Sequence, residues 1–234
     1  MSVNSRTALM STSVISAVLG LGLMTAPMTM AQEFQTMSKP ADQTFLYYKQ
    51  YLSLRPNERD KINVFYLLKI KGGNYKGVSI ILTDQGQNHP LSLQPDGRIT
   101  PLPTLAQLNN GATITVTGPD KGVSLRMKVT PNLSYAPQMD GNALAQSLSQ
   151  AQSAEKKMAG ALAFAVPKLS CIYFVGAKSG TLIMNDGSQK PLTYSKDSPE
   201  GPDTPMTCQS EISSAKTVQL NKAPHQIYLG EAPH

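Results

Sequence analysis

The stretch KLSCIYFVGAKSGTLIMNDG, residues 168–187, contains two strand-like runs and one of only two cysteines in the chain. LSCIYFVG and GTLIMN are rich in apolar and β-branched residues, and the NDG that follows is typical of a hairpin turn. The second cysteine, Cys208, lies downstream of a proline-rich polar segment. The stretch predicts a β-rich fold, and the meaning of its cysteine depends on the compartment in which the protein folds.

The first 31 residues have the pattern of a secretory signal peptide. Arg6 is followed by a mostly apolar run, Val14–Met24, and the best cleavage position lies after Ala31. Polar residues interrupt the run and Pro27 closes it, which makes it a poor bilayer span. We therefore predict export to the periplasm and no stable membrane span after signal removal, with an uncleaved anchor as the alternative. The mature chain would have a formal net charge of +5.

Export favours one interpretation of the cysteines. Thiols outside the cytoplasm are oxidised, and an even pair is most simply one disulfide, here Cys171–Cys208. The alternative, a redox-active or metal-binding pair, needs close spacing such as C-x-x-C, which this chain lacks. A disulfide that closes a loop of this length stabilises a fold by about 4 kcal/mol in the chain-entropy model.

Each half of the mature chain begins with a helical pattern. In QTFLYYKQYLSL, residues 43–54, one apolar stripe follows Asp42 as the expected N-cap and contains Phe45, Tyr48 and Leu52. The second pattern is expected to stop at Pro167, and its apolar face consists of Leu144, Leu148, Ala151, Met158 and Leu162.

Strand-like runs separated by turn signals follow each helical pattern. The first half contains NVFYLLKI, VSIILT, ATITVT and VSLRMKV, and the second contains LSCIYFVG, GTLIMN, KPLTYS, KTVQLN and HQIYLGE. The two halves align in five blocks in the same order. In that alignment the hairpin at 80–93 matches 182–194 with one residue fewer in the second turn, and Thr104 matches Cys208.

The pattern predicts an α+β fold, mainly β, made of two tandem repeats. Each repeat would be an amphipathic helix followed by a small antiparallel β-sheet or sandwich. The expected boundaries are residues 32–132 for the first repeat, 133–141 for a linker and 142–234 for the second repeat.

Several segments of the chain resemble a known protein family. They are the helical segment FLYYKQYLSL, the hairpin ends HPLSL and KPLTY, and the proline-bearing segment ITPLPTLAQLNNGATITV. In these segments the chain resembles an uncharacterised family of Gram-negative periplasmic proteins, a domain of unknown function. The resemblance covers about half of each repeat. It implies export and a β-rich fold, and it implies no activity.

The sequence offers no catalytic, metal or cofactor motif. It contains only three histidines and has no G-x-S-x-G, H-E-x-x-H or P-loop pattern. An enzyme alternative, a polysaccharide hydrolase or lyase, would require Asp84, His89 and Asp96 to meet around a cleft with partners from the second repeat. Because aspartate also caps hairpin turns, these residues have a structural explanation as well.

The densest positive region contains the candidate anion or partner contacts Lys49, Arg55, Arg59 and Lys61. Tyrosines are interleaved with them, a composition that also suits nucleic acid, but export argues against that partner. An envelope protein or an anionic envelope component fits better, and an ordinary solvated surface is the simpler alternative.

We therefore expect an exported, non-enzymatic binding or accessory module of the envelope. One alternative is the hydrolase or lyase described above. Another is a small-ligand carrier whose pocket lies between helices and sheets and is lined by Phe45, Tyr48, Leu148 and Leu162.

Overall fold

The structure, a computed structural model, describes residues 34–70, 74–119, 123–160, 168–194 and 201–233. Residues Glu33–His234 form one compact unit, and the other unit, Met1–Gln32, lies outside the described residues. The predicted signal peptide therefore lies outside them too. The fold is α+β and mainly β, with antiparallel sheets, as the sequence predicts.

Each strand-like run of the sequence coincides with at least part of a strand, but the strands at 34–40, 99–100, 138–140 and 205–208 lie outside those runs. The first half contains β1 (Phe34–Pro40), β2 (Ile62–Ile70), β3 (Ser79–Asp84), β4 (Gln87–Leu93), β5 (Ile99–Thr100), β6 (Thr113–Pro119) and β7 (Val123–Pro131). The second half contains β8 (Gln138–Asp140), β9 (Cys171–Val175), β10 (Gly180–Met184), β11 (Gln189–Pro191), β12 (Thr193–Tyr194), β13 (Pro205–Cys208), β14 (Ala215–Leu220) and β15 (Gln226–Gly230).

The described helices are short, with one exception. They are α1 (Ala41–Thr44), α2 (Tyr48–Ser53), α3 (Leu105–Asn109), α4 (Gly141–Ala159) and α5 (Gln209–Ile212). At the start of α4 the Asp140 carboxylate accepts a hydrogen bond from the Ala143 backbone N–H at 3.1 Å and so acts as the N-cap of the helix. The sequence predicted that Asp140 belongs to the linker. Leu162 and Pro167 lie outside the described residues.

The first helical pattern forms two short helices, α1 and α2, rather than the single helix expected over residues 43–54. Asp42 lies inside α1 and is not its N-cap. Between the helices Phe45 is fully buried with its ring edge against Tyr66, and the Tyr66 hydroxyl donates to the Leu46 carbonyl oxygen. Tyr47 then takes a left-handed backbone conformation, with φ 66°. Burial of the aromatic ring therefore interrupts the helix that the apolar stripe predicts.

The strands form a first, a second and a central sheet. The first sheet has the order β1-β6-β3-β4-β5, the second β11-β10-β14-β8 and the central β12-β13-β9-β15-β7-β2. The central sheet takes strands from both predicted repeats, and β7 pairs with β15 where Val129 lies opposite Leu229. The predicted linker, residues 133–141, contains β8, which pairs with β14.

The two hairpin turns differ from the sequence alignment. In the β3–β4 turn Asp84 lies opposite Gln87, so two residues form the turn. In the β10–β11 turn the Met184 N–H donates to the Ser188 carbonyl oxygen at 2.8 Å, so three residues form it. The second turn is one residue longer, and the prediction that it is one residue shorter is wrong. Its third residue, Gly187, adopts φ 84°, as three-residue hairpin loops commonly require.

Two main apolar cores fill the spaces between the sheets. The first core lies between the first sheet and β2 and includes Phe45, Tyr66, Leu68, Ile80 and Ile114. The second core lies under α4 and includes Leu144, Leu148, Ile172, Phe174, Leu182 and Val218. Alternate residues of β2 point into the cores, which leaves the remaining β2 side chains on the opposite face of the central sheet.

Candidate functional site

Basic side chains gather on the face of the central sheet that points away from the two main cores. Because Tyr66 and Leu68 point into the first core, Phe65, Leu67 and Lys69 lie on the other face. Their antiparallel partners on β7 are Lys128, Arg126 and Ser124, in that order. Directly opposed residues share a face. We call this surface, with Lys69, Arg98, Arg126 and Lys128, the basic face.

Arg98 reaches the basic face from the turn before β5. It pairs with Leu67 in an isolated bridge, and its guanidinium carbon lies 4.0 Å from the centre of the Phe65 ring. Its Nη2 donates to Gln226 Oε1 at 2.9 Å, and its Nε lies 3.7 Å from an Asp96 carboxylate oxygen. Arg98 is therefore held in place by an aromatic ring, an amide and a carboxylate.

A layer of aromatic rings lies beneath the cations. The rings of Phe65 and Tyr228 are 6.0 Å apart, and Lys128 Nζ lies 4.7 Å from the centre of the Tyr228 ring. Tyr228 also packs against a small cluster that contains Tyr173. The long stems of the cations cover this apolar layer and present their charges at its outer side.

Lys69 and Arg126 are both exposed. The strands β2 and β7 carry three cations and no acidic residue. Within the described ranges, no carboxylate forms an ion pair with Lys69 or Arg126. Diagonal neighbours on adjacent antiparallel strands are roughly 7–8 Å apart, so one extended anionic group can contact both side chains. The arrangement suits electrostatic binding of an anion.

The basic residues that the sequence singled out are only partly available. Arg55 forms a 2.7 Å ion pair with Glu58, which also pairs with Lys157 at 2.5 Å. These partners, Arg55 first, lower the pKa of the Glu58 carboxyl to about 2. Arg59 lies over the Tyr51 ring at 5.4 Å. Two of the four predicted contacts are therefore engaged within the protein.

The other two predicted contacts, Lys49 and Lys61, lie on α2 and just before β2. Lys49 is half-buried and Lys61 is exposed, and neither forms an ion pair within the described part of the chain. The Lys61 backbone N–H donates to Gln150 Oε1 at 2.7 Å, which attaches this segment to α4. Their position places them outside the basic face defined above.

The carboxylates of the enzyme alternative are not brought together. Asp84 ends β3, and Asp96 lies in the turn after β4, so the length of β4 separates them, roughly 20 Å at the usual rise per residue. Asp96 Oδ1 accepts from the Arg98 backbone N–H at 2.9 Å, as a turn-capping carboxylate does. Asp186, which the alignment of the two halves places over Asp84, accepts from the Ser188 N–H at 2.9 Å, in the same manner as Asp96.

The predicted pair Cys171 and Cys208 is at disulfide distance, with Sγ atoms 1.94 Å apart. The two residues lie directly opposite each other on β9 and β13. Cys171 is fully buried against Tyr173 and Met206. The pair therefore joins neighbouring strands of the central sheet, and its environment is that of a structural cross-link.

The positions expected to line a carrier pocket are split between the cores. Phe45 and Leu148 are both fully buried, and they belong to the first and the second core respectively. Tyr48 packs between the two cores with its ring 5.8 Å from that of Tyr66. Of these three residues, Phe45 alone borders the open cleft at the edge of the first core.

In the described segments, no group of three or more His, Cys, Asp or Glu side chains is placed to hold a metal ion. Across the same segments, no helix combines the length and the apolar character that crossing a bilayer requires. No protein-family model matches the chain, and comparison with curated proteins and with solved structures gave no significant match.

Sequence reasoning missed the basic face because its members are dispersed along the chain. Lys69 belongs to the dense positive region, but Arg98, Arg126 and Lys128 lie 29 or more positions further on. One signal was present: in VSLRMKV, Arg126 and Lys128 are two residues apart and must share a face of a strand. Their neighbour across the sheet depends on register, which the sequence pattern does not define.

Proposed function

We propose that the protein is an exported, non-enzymatic binding module that holds an anionic component of the envelope against its basic face. The observation that carries the proposal is the exposure of Lys69 and Arg126 on adjacent strands that contain no acid. Complementary charge raises the local concentration of an anionic partner and directs its approach.

Two features support export. The N-terminal sequence has a single arginine followed by an apolar run, as signal peptides do. Cys171 and Cys208 lie at disulfide distance, and such pairs persist in oxidising compartments. We infer that the mature protein works in the periplasm.

We also infer that the two halves arose by duplication. Neighbouring strands of the first sheet follow the order β1-β6-β3-β4, and those of the second sheet follow the order β8-β14-β10-β11. Strands that occupy corresponding places in the two halves of the sequence therefore have corresponding neighbours in the two sheets. Thr104 and Cys208 each precede a short helix, and those helices bury Leu108 and Ile212 at matching positions. On this view the pairing of β7 with β15 joins two equivalent strands, and only the first copy supplies cations to the basic face.

The experiment measures equilibrium binding of the mature protein to two anionic probes. One is a phosphatidylcholine vesicle with or without phosphatidylglycerol, and the other is a soluble carboxylated polysaccharide. Binding to one probe that weakens with added salt would identify the source of the negative charge. Binding to neither probe at low salt would contradict the proposal.

The matched variants separate the basic face from general charge. In Lys69→Gln/Arg126→Gln we expect affinity to fall about thirtyfold, because each cation near an anionic surface contributes about 1 kcal/mol. Lys216→Gln/Lys222→Gln removes the same charge from exposed residues on or next to β14. An equal loss in both double variants would show that net charge, and not the basic face, determines binding.

A further inference from the structure

An open cleft of about 220 Å³ lies at the edge of the first core. One wall comes from β1 and β6, with Met37 and Val116 in its lining, and the other wall comes from the start of β7, with Val123 and Leu125. Phe45 lies beside α1 and also borders the cleft. The cleft is thus the gap between the edge strand β1 and the start of β7.

The gap exists because the helices described in the first half are short and none of them covers the first sheet as a long helix would. In the second half α4 runs for 19 residues and buries Leu144 and Leu148 in the second core. In the first half the helix stops at Thr44, and the next helix begins at Tyr48. Met37 at the cleft consequently stays accessible to solvent, with 49% of the residue exposed.

The lining of the cleft is apolar apart from a small polar group. Of its 13 lining residues, Lys39 is the single charged one, and it lies on the same face of β1 as Met37. Lys39 is exposed, and no carboxylate in the described ranges forms an ion pair with it. An apolar channel with one available cation complements a chain that is apolar along its length and anionic at one end.

We propose that the cleft binds an aliphatic chain with an anionic head group, the chain between β1 and β7 and the head group at Lys39. An apolar cavity of about 150 Å³ accommodates six-carbon benzene, so this larger volume corresponds to roughly nine carbons. The ligand class is therefore a fatty acid of medium length. This inference does not depend on the basic face, because it rests on different residues.

Calorimetric titration with decanoate below its micelle concentration, at low ionic strength, tests the inference. The neutral alcohol decanol serves as the ligand without the charge. We expect Lys39→Gln to weaken decanoate binding about two- to fivefold, the range of an exposed ion pair, and to leave decanol binding unchanged. Lys216→Gln, a matched change at an exposed lysine on β14, should leave both affinities unchanged.

A second variant tests the position of the chain. Val116→Phe places an aromatic ring in the cleft and should weaken both ligands at least tenfold. If that variant does not fold, the methyl resonance of Met37 in the wild-type protein gives the same information, since it should shift when either ligand binds. The inference is overturned if the wild-type protein binds neither ligand, if Lys39→Gln affects both ligands equally, or if the Met37 resonance is unchanged at saturation.

Discussion

Arg98 Nη2 donates a hydrogen bond to Gln226 Oε1 at 2.9 Å, and these two residues are 128 positions apart in the chain. Gln226 Nε2 in turn donates to the Tyr135 hydroxyl at 3.1 Å. The contact joins the turn before β5, in the first predicted repeat, to β15 in the second. It lies beside the basic face and fixes the one basic residue there that comes from a turn.

The first prediction concerns this contact. Gln226 is 9% exposed, and Gln226→Leu leaves Arg98 and Tyr135 without the amide partner. We expect the free energy of unfolding to fall by about 1–3 kcal/mol, the range for losing half-buried hydrogen bonds of which one involves a charged group. Urea denaturation checks this against Gln219→Leu, an exposed position on β14. Equal stability of the two variants would refute the structural role of the contact.

The second prediction concerns Cys171 and Cys208, which are 37 residues apart in sequence. Replacing both by alanine should lower the free energy of unfolding by about 4 kcal/mol in the chain-entropy model. The measurement is urea denaturation of wild-type and variant protein under oxidising conditions. Under reducing conditions the wild-type protein should lose most of its extra stability over the variant. If the urea midpoint of the wild-type protein is the same under reducing and oxidising conditions, the disulfide does not stabilise the fold.

The third prediction is a loss of stability in acid that depends on Glu58. Arg55 and Lys157 lower its pKa to about 2, below the ordinary carboxyl value of about 4.3. Its stabilising contribution is therefore present above about pH 4.3 and is lost as the pH falls to about 2. Glu58→Gln should be less stable than wild type at neutral pH and equally stable near pH 2. A stability difference between Glu58→Gln and wild type that does not vary with pH would show that the Glu58 charge is not its cause.

The fourth prediction has the opposite sign and concerns Glu155 on α4. Burial raises the pKa of its carboxyl, and the nearby Glu231 adds to the effect. The protonated form therefore favours the fold at low pH, and this contribution is lost as the pH rises through the raised value. Glu155→Gln should match wild type in acid and exceed its stability at neutral pH, as measured by urea midpoints across the pH range. Lower stability of the variant at neutral pH would contradict the assignment.

The strands could be predicted from sequence because their apolar runs and turn residues are local signals. NVFYLLKI predicted a strand where β2 spans Ile62–Ile70, and the hairpin predicted at 80–93 corresponds to β3 and β4. The break between α1 and α2 could not be predicted, because it depends on Phe45 and Leu46 meeting Tyr66 from a distant strand.

The basic face could not be predicted from the sequence for a related reason. The high density of basic residues in the sequence favoured Lys49 to Lys61 as the contacts of an anionic partner. In a sheet, however, the pairing register of the strands decides which cations become neighbours, and these cations can be distant in sequence. The β2–β7 register places Arg126 opposite Leu67, beside Lys69. The ion pairs that engage Arg55 depend on Glu58, whose second partner, Lys157, lies 99 residues further along the chain.

The most direct test of the central claim is lysine acetylation footprinting of the wild-type protein, with and without the anionic probe that it binds. If the basic face is the binding surface, Lys69 becomes protected in the complex while Lys49 and Lys61 react as fast as in the free protein. Protection of Lys49 and Lys61 with Lys69 unchanged would contradict the claim and would place the binding surface on α2 and the segment before β2.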